Sequence, residues 1–284
     1  MKKDYLSPAA TRCGNTKFRW GERTYIMGIV NVSPDSFSGD GLGGDIEAIV
    51  EQAKRFIAEG ADIIDVGGES TRPQSQSITA DEELRRVIPA IRRLAAEIDV
   101  PISIDTSKSA VAKQALGTGA VMLNDVWGLK NDPQIAHVAA EAGVPIIITS
   151  NQRQKPCQGD IVAEVIADLE RSIILAKEHG VAEENIIIDP GIGFGKSVEQ
   201  NLELIRRLAE LKSLGRPILL GTSRKSVIGL VLDLPPDQRL EGTAATVAIG
   251  IANGADIIRV HDVKQMARVC RMSDAIIRRT KDEH

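Results

Sequence analysis

The sequence predicts an α/β fold in one domain, a (β/α)8 TIM barrel, and three observations carry that prediction. Short apolar runs rich in Ile and Val recur along the whole chain, each of a length that suits a strand buried on both faces of a parallel sheet. Amphipathic helical patterns alternate with these runs, and many stop at a glycine just before the next run. The motif GADII joins a helix end to a strand twice, at 60–64 and 254–258, as weak repetition of a βα unit. Such units in succession, with no long linker, point to a closed barrel, because a doubly wound open sheet usually has fewer strands in this length.

Residues 1–24 read as a short N-terminal extension that covers the barrel bottom, and 25–284 as the barrel. The first run, YIMGIVNV (25–32), leads to a helix over 45–59 with Ile46, Ile49, Val50, Ala53 and Ile57 on one face. The second, ADIIDVGG (61–68), leads to a helix over 81–97 with Leu84, Val87, Ile88, Ile91 and Leu94 in phase. VPISIDT (100–106) precedes a helix at 108–117, and AVMLNDV (120–126) one at 132–142. VPIIITS (144–150) is followed by 160–179, and NIIIDPG (185–191) by 198–213. PILLGTS (217–223) leads to 239–253, and ADIIRVHD (255–262) to the last helix, 263–280. Gly60, Gly119, Gly143, Gly180, Gly215 and Gly254 stand where a left-handed residue closes a helix.

Composition narrows the function. The net charge is -4 with no basic block before the last helix, and aromatics make up only 3%, which disfavours nucleic-acid binding. Three widely spaced cysteines, Cys13, Cys157 and Cys270, suggest neither a zinc motif nor a disulfide framework, and read as reduced thiols used in packing. No apolar segment follows MKKDYLSPAA, and no stretch approaches the roughly twenty apolar residues of a membrane span, so a cytoplasmic protein is expected.

Polar residues collect where the runs end. Asn31 ends the first, Glu69, Thr71 and Arg72 follow the second, and Asp105 ends the third. Asn124 and Asp125 close the fourth, Asp189 precedes PGIGFGK, TSRKS follows the seventh, and Arg259 and His261 end the eighth. In a barrel these ends share one rim, where active sites lie. Taken singly, each has a plainer explanation: Asp105 as a helix cap, Asn124 and Asp125 as loop ties, Asp189 as a turn initiator. GIGFGK has the look of a phosphate loop without its spacing. Together they form a pocket of two characters. Asp105, Asn124 and Asp189 suit a ligand edge with several N–H donors, whereas Arg72, Lys225, Arg259 and His261 suit an anion. SRKSVIGLVL reads as a loop entering a helix N-terminus, a second anion-favouring feature.

The chain resembles the dihydropteroate synthase family of pterin-binding barrels from about residue 24 to 275. The resemblance is carried in order by IMGIVNVSPDSFSGDG, GADIIDVGGESTRP, ISIDTSKSAVAKQAL, LNDVWG, IIIDPGIGFGK, GTSRKSVIG and GADIIRVHDV. It implies condensation of 6-hydroxymethyl-7,8-dihydropterin diphosphate with p-aminobenzoate to give 7,8-dihydropteroate and pyrophosphate, with Mg2+ as cofactor and a homodimer as the assembly. It also implies roles. Asp105, Asn124, Asp189 and Lys225 would bind pterin, with Phe194, Gly221 and Ser223 in the same substrate pocket, and Asn31 would meet Mg2+ and diphosphate. Arg72, Arg259 and His261 would bind diphosphate, with Arg259 also covering the pterin face. Phe37, Thr71, Pro73 and Ser226 would form the p-aminobenzoate subsite. No strong general base is required, because an aniline nitrogen is already unprotonated at neutral pH; orientation and electrostatics suffice.

The loop NVSPDSFSGDGLGG (31–44) is longer than a turn requires, and its residues 32–44 are expected to close over the diphosphate, bringing Asp35 and Phe37 to the site. One segment departs from the family: IIITSNQRQKPCQGD (146–160) stands where a Met-His-Met type sequence is expected, which makes this wall of the pterin pocket more polar. The alternatives are a pterin-binding methyltransferase on the same barrel, a Schiff-base aldolase using Lys225, and a non-catalytic pterin-binding protein.

Overall fold

The computed structural model describes residues 8–32, 45–69, 77–155 and 157–278. The chain begins with an antiparallel hairpin, β1 (Ala10–Cys13) and β2 (Thr16–Arg19). Eight parallel strands follow: β3 (Tyr25–Asn31), β4 (Ile63–Gly67), β5 (Ile102–Asp105), β6 (Met122–Asp125), β7 (Ile146–Thr149), β8 (Ile186–Asp189), β9 (Leu219–Leu220) and β10 (Ile257–Val260). Neighbours pair in sequence order, β10 returns to β3, and a bridge between Ile188 and Ile218 joins β8 to β9. The sheet therefore closes on itself as a (β/α)8 TIM barrel.

Helices occupy the connections: α1 (Ile46–Glu59), α2 (Ala80–Glu97), α3 (Ser109–Leu116), α4 (Gln134–Ala142), α5 (Ile161–Glu178), α6 (Val198–Arg206), α7 (Ser226–Leu232), α8 (Leu240–Ala252) and α9 (Val263–Ile277). Local chemistry sets their ends. Asp45, Thr79 and Asp160 accept first-turn amides of α1, α2 and α5, and Ser197 forms a capping box with Gln200 on α6. Gly60, Gly143 and Gly215 close their helical segments in the left-handed conformation. Three expectations change. The helix over 198–213 ends at Arg206 and passes into a tighter 3-10 segment, Leu208–Leu214. The run at 217–223 yields a two-residue strand, and its continuation folds into α7. The buried face of α1 centres on Phe56 rather than Ile57, because Gly28 on β3 lacks the β-carbon that would stand 2.8 Å from the Phe56 ring.

Strand alternation sorts side chains between two cores. Outward residues such as Val30, Ile64, Ile104, Leu123, Ile148, Ile188 and Val260 pack against the helices. Inward residues nearest the strand starts, including Met27, Ile63, Met122, Ile147, Ile187, Leu219 and Ile257, fill the lumen together with Phe18 and Cys13 of the hairpin. The lower lumen is thus an apolar plug, and inward positions nearer the strand ends carry the polar groups.

Candidate active site

The same inward phase that gives Met27, Ile63, Met122, Ile147, Ile187, Leu219 and Ile257 to the plug continues through Asp65 and Ser103, fully buried below the opening, to Asn31, Gly67, Asp105, Asn124, Thr149, Asp189, Gly221, Arg259 and His261 at the mouth. Residues far apart in sequence therefore meet around one opening. Asp105, Asn124 and Asp189 are all buried. A β-carbon added to Gly67 would lie 3.7 Å from the Asn31 Oδ1 and 3.7 Å from the Asp105 Cβ, so the absent side chain leaves room between these two groups.

Arg259 organises the centre. Its Nε donates to Asp65 Oδ2 at 2.6 Å and its Nη2 to Asp105 Oδ2 at 2.7 Å. Asn124 Nδ2 donates to the same Asp65 oxygen at 3.1 Å. Burial pushes the Asp105 carboxyl up to about 7; Arg259 opposes the shift and Asp65 adds to it. Burial works against the Arg259 charge, but Asp65 and Asp105 outweigh it and raise its pKa above the usual range. This corrects the expected division into an acceptor end and an anion end, since Arg259 lies among the acceptors and joins two of them.

Asp189 initiates the turn considered for it and is buried in the mouth. Its Oδ1 accepts the Gly191 amide at 2.8 Å, which sets the turn, and burial raises its pKa despite the nearby Lys225 cation. Lys225 Nζ donates to the Ile192 carbonyl at 2.5 Å and stands 4.7 Å from the centroid of the buried Phe194 ring. Burial lowers its pKa to about 8. A β-carbon at Gly221 would stand 3.9 Å from Lys225 Nζ and 3.8 Å from Arg259 Cβ, so this glycine keeps the gap between the two cations open. Ser223 accepts the His261 amide at 3.2 Å and its hydroxyl shares a 3.0 Å hydrogen bond with Nδ1, whose direction follows the ring tautomer. Ser226 is exposed at the start of α7.

Other sequence expectations resolve differently. Asp105 is not a helix cap, since Lys108 holds that position for α3. Asp125 has the outward phase and ties its loop by accepting Trp127 and Leu129 amides at 2.9 and 2.6 Å; burial raises its pKa to about 6. The GIGFGK segment is not a phosphate cradle. Its Gly193 amide is used by Asn201, and Lys196 Nζ donates to the Ser150, Gly191 and Phe194 carbonyls. At the end of β7, Thr149 has the inward phase, with its hydroxyl 3.5 Å from Asp189 Oδ2. Ser150 bonds instead to Asp168 on α5, and Asn151 to the Val126 carbonyl. Asp35, Phe37, Thr71, Arg72 and Pro73 lie outside the described residues, as does the expected closing loop beyond Val32.

Asp65 was not singled out by sequence reasoning. The signal was present: a carboxylate inside the apolar run IIDVGG, in phase with the inward-facing Gly67. Among the described residues no group of three or more His, Cys, Asp or Glu side chains could hold a metal ion. The inward oxygen of Asn31 is a hard, neutral donor, which suits an Mg2+ ion that takes most of its ligands from substrate phosphate and water.

Comparison with known proteins bears on the family and the fold. The family described as "Pterin binding enzyme" matches residues 27–261. The dihydropteroate synthase of Clostridium beijerinckii is 51% identical over 269 residues, covering 94% of this chain and all of the relative. The crystal structure of a dihydropteroate synthase from Clostridium difficile in the presence of pteroic acid superposes with TM-score 0.88 at 52% identity, covering 92% of this chain and 100% of that one. The Xanthomonas albilineans enzyme in complex with 7,8-dihydropteroate superposes with TM-score 0.85 at 38% identity, covering 94% of this chain and 98% of that one.

Proposed function

The chain belongs to the pterin-binding enzyme family, with the activity of a dihydropteroate synthase, a transferase of a pterin-methyl group, and we propose how its barrel mouth performs that reaction. The observation that carries the proposal is the cluster of Asp105, Asn124 and Asp189 beside Arg259 and Lys225 in one mouth. Carboxylate and amide oxygens take the N–H donors of the pterin edge, which fixes the ring in orientation and depth. The cations of Lys225 and Arg259 would stabilise charge where the ring and its leaving diphosphate meet. The aniline nitrogen of p-aminobenzoate forms a bond to the exocyclic carbon of the dihydropterin. The C–O bond to diphosphate breaks, its electron pair leaves with the pyrophosphate, and the new C–N centre loses one proton. The dihydropterin ring delocalises positive charge on that carbon, so the displacement is SN1-like.

Asn31 would hold Mg2+, which, when bound, supplies charge neutralisation for the leaving group. His261, oriented through Ser223, faces the same anion. Ser226 belongs to the p-aminobenzoate side. A homodimer fits the apolar surface of α7, α8 and α9, where Leu230, Val231, Ile249, Met272 and Ile276 are exposed. A cytoplasmic setting fits the three free, buried cysteines.

Turnover tests the reading directly. Purified protein incubated with dihydropterin diphosphate, p-aminobenzoate and Mg2+ should release pyrophosphate and form dihydropteroate. Both products should disappear with EDTA and in Asp105→Ala. Tight pterin binding with no product under any metal condition would overturn the synthase mechanism and favour a binding protein.

A further inference from the structure

Asp65 is fully buried in the middle of β4, one register step below Asp105: Asp65 pairs with Ser103, and Gly67 with Asp105. One of its oxygens, Oδ2, accepts from both Arg259 Nε and Asn124 Nδ2. The other, Oδ1, is buried and has no hydrogen-bond partner among the described residues. A buried carboxylate with one oxygen left over is a poor stabilising device, since an apolar residue of similar volume costs less. Its contacts point to another use. An ionised carboxylate only accepts, so the Asn124 amide must turn its nitrogen to Asp65 and its carbonyl oxygen away from the lumen floor. The same carboxylate takes the Nε edge of Arg259, which sets the guanidinium plane and leaves Nη2 for Asp105.

We propose that Asp65 is a positioning residue: from the lumen floor it fixes Asn124 as an acceptor towards the substrate and sets the guanidinium of Arg259 against Asp105. It touches no substrate atom itself. The mouth is thereby committed to a heterocycle edge that offers N–H donors, and a ring presenting an acceptor at the Asn124 position is rejected. The inference rests on the pterin reading above.

The test compares two substrates and one control. Binding of 6-hydroxymethylpterin to the wild-type chain is measured first by fluorescence titration; no binding would overturn the functional reading and this inference with it. With wild-type binding established, Asp65→Asn should weaken pterin binding by about tenfold or more, the equivalent of one lost charge-assisted hydrogen bond. The KM for p-aminobenzoate should stay within about twofold, because that substrate is placed elsewhere in the proposed site. Ser103→Ala, at the same level on the adjacent strand, should leave both constants unchanged. Pterin affinity unchanged in Asp65→Asn, or an equal loss in Ser103→Ala, would overturn the proposal. If Asp65→Asn alone does not fold, Asp65→Asn with Arg259→Met removes both partners of the buried pair. That double variant should bind pterin about tenfold more weakly than Arg259→Met, through the released Asn124 amide. Equal affinities would overturn the role assigned to Asn124.

Discussion

Asp105 and Lys225 face each other's pH range at the mouth. The carboxyl is raised to about 7 and the ammonium lowered to about 8, both chiefly by burial. In the proposed site, pterin recognition needs Asp105 ionised and Lys225 charged. The kcat/KM for the pterin substrate should therefore rise with pH towards 7 and fall beyond 8, a narrow bell in a steady-state pH profile. Lys225→Arg should remove the basic limb. The sign for stability is opposite on the acid side. The folded state holds the Asp105 proton more tightly than the unfolded chain does, so folding free energy is lost as pH rises from the ordinary aspartate range to about 7. Urea titrations of Asp105→Asn should show a flatter pH dependence across that window. A glycine matters just as much nearby. Gly191 has φ of 71°, and a β-carbon there would stand 2.0 Å from the Ser150 carbonyl oxygen. Gly191→Ala should cost about 3 kcal/mol in denaturant unfolding, through strain and clash together. At this scale the sequence exposed Asp105, Asn124, Asp189, Arg259 and His261, because each stands at the end of an apolar run. Asp65 stayed hidden because it stands inside one, where its phase with Gly67 was the one sign of the side that opens into a site.

The elements were legible wherever apolar periodicity and end signals agreed. α2 shows this, with Thr79 at its start and Val87, Ile91 and Leu94 buried along one face. Legibility failed where one short stretch serves two purposes. In PILLGTSRKSVIGLVL the strand stops after Leu220, Arg224 takes a left-handed turn at φ 56°, and α7 begins at Ser226. The helix start after Lys225 was legible in SRKSVIGLVL, but the run at 217–223 gave no sign that its strand stops at Leu220. The β1–β2 hairpin was equally obscure, since its burial comes from the lumen residues above it and not from its own pattern. The turn after β6 allows a test at this scale. Asp125 holds two amides there, one from Leu129 at φ 67°. Asp125→Ala leaves both without their partner and should destabilise the fold by about 2–3 kcal/mol in urea, with a larger effect on stability than on the KM of either substrate.

On the whole molecule, the exposed apolar residues of α7, α8 and α9 form the surface assigned to a homodimer. Leu230→Asp with Ile276→Asp should shift sedimentation equilibrium from dimer to monomer; a wild-type chain that already sediments as a monomer would refute the assembly. Cys13 and Cys270 are buried and their thiols are pushed up to about 12, so native protein should react with a thiol reagent only after unfolding. Among the described residues no helix is long and apolar enough to cross a membrane.

The strand alternation that sorts the lumen has a consequence for how such a chain changes over time. Asn31, Gly67, Asp105, Asn124, Thr149, Asp189 and Arg259 each come from a different strand, and Gly221 directly follows another, whereas their immediate neighbours in sequence pack outward or lie deeper in the plug. Recognition and support are thus written on adjacent letters with little overlap in what they touch. Substitutions at the mouth can explore new ligands while the plug and the helix-facing core go on holding the barrel closed. Thr149 illustrates the freedom: it stands in the segment where a Met-His-Met type sequence is expected, and the strands on either side of it keep their register. Asp65 marks its limit, because it is the point where the two scripts share a letter.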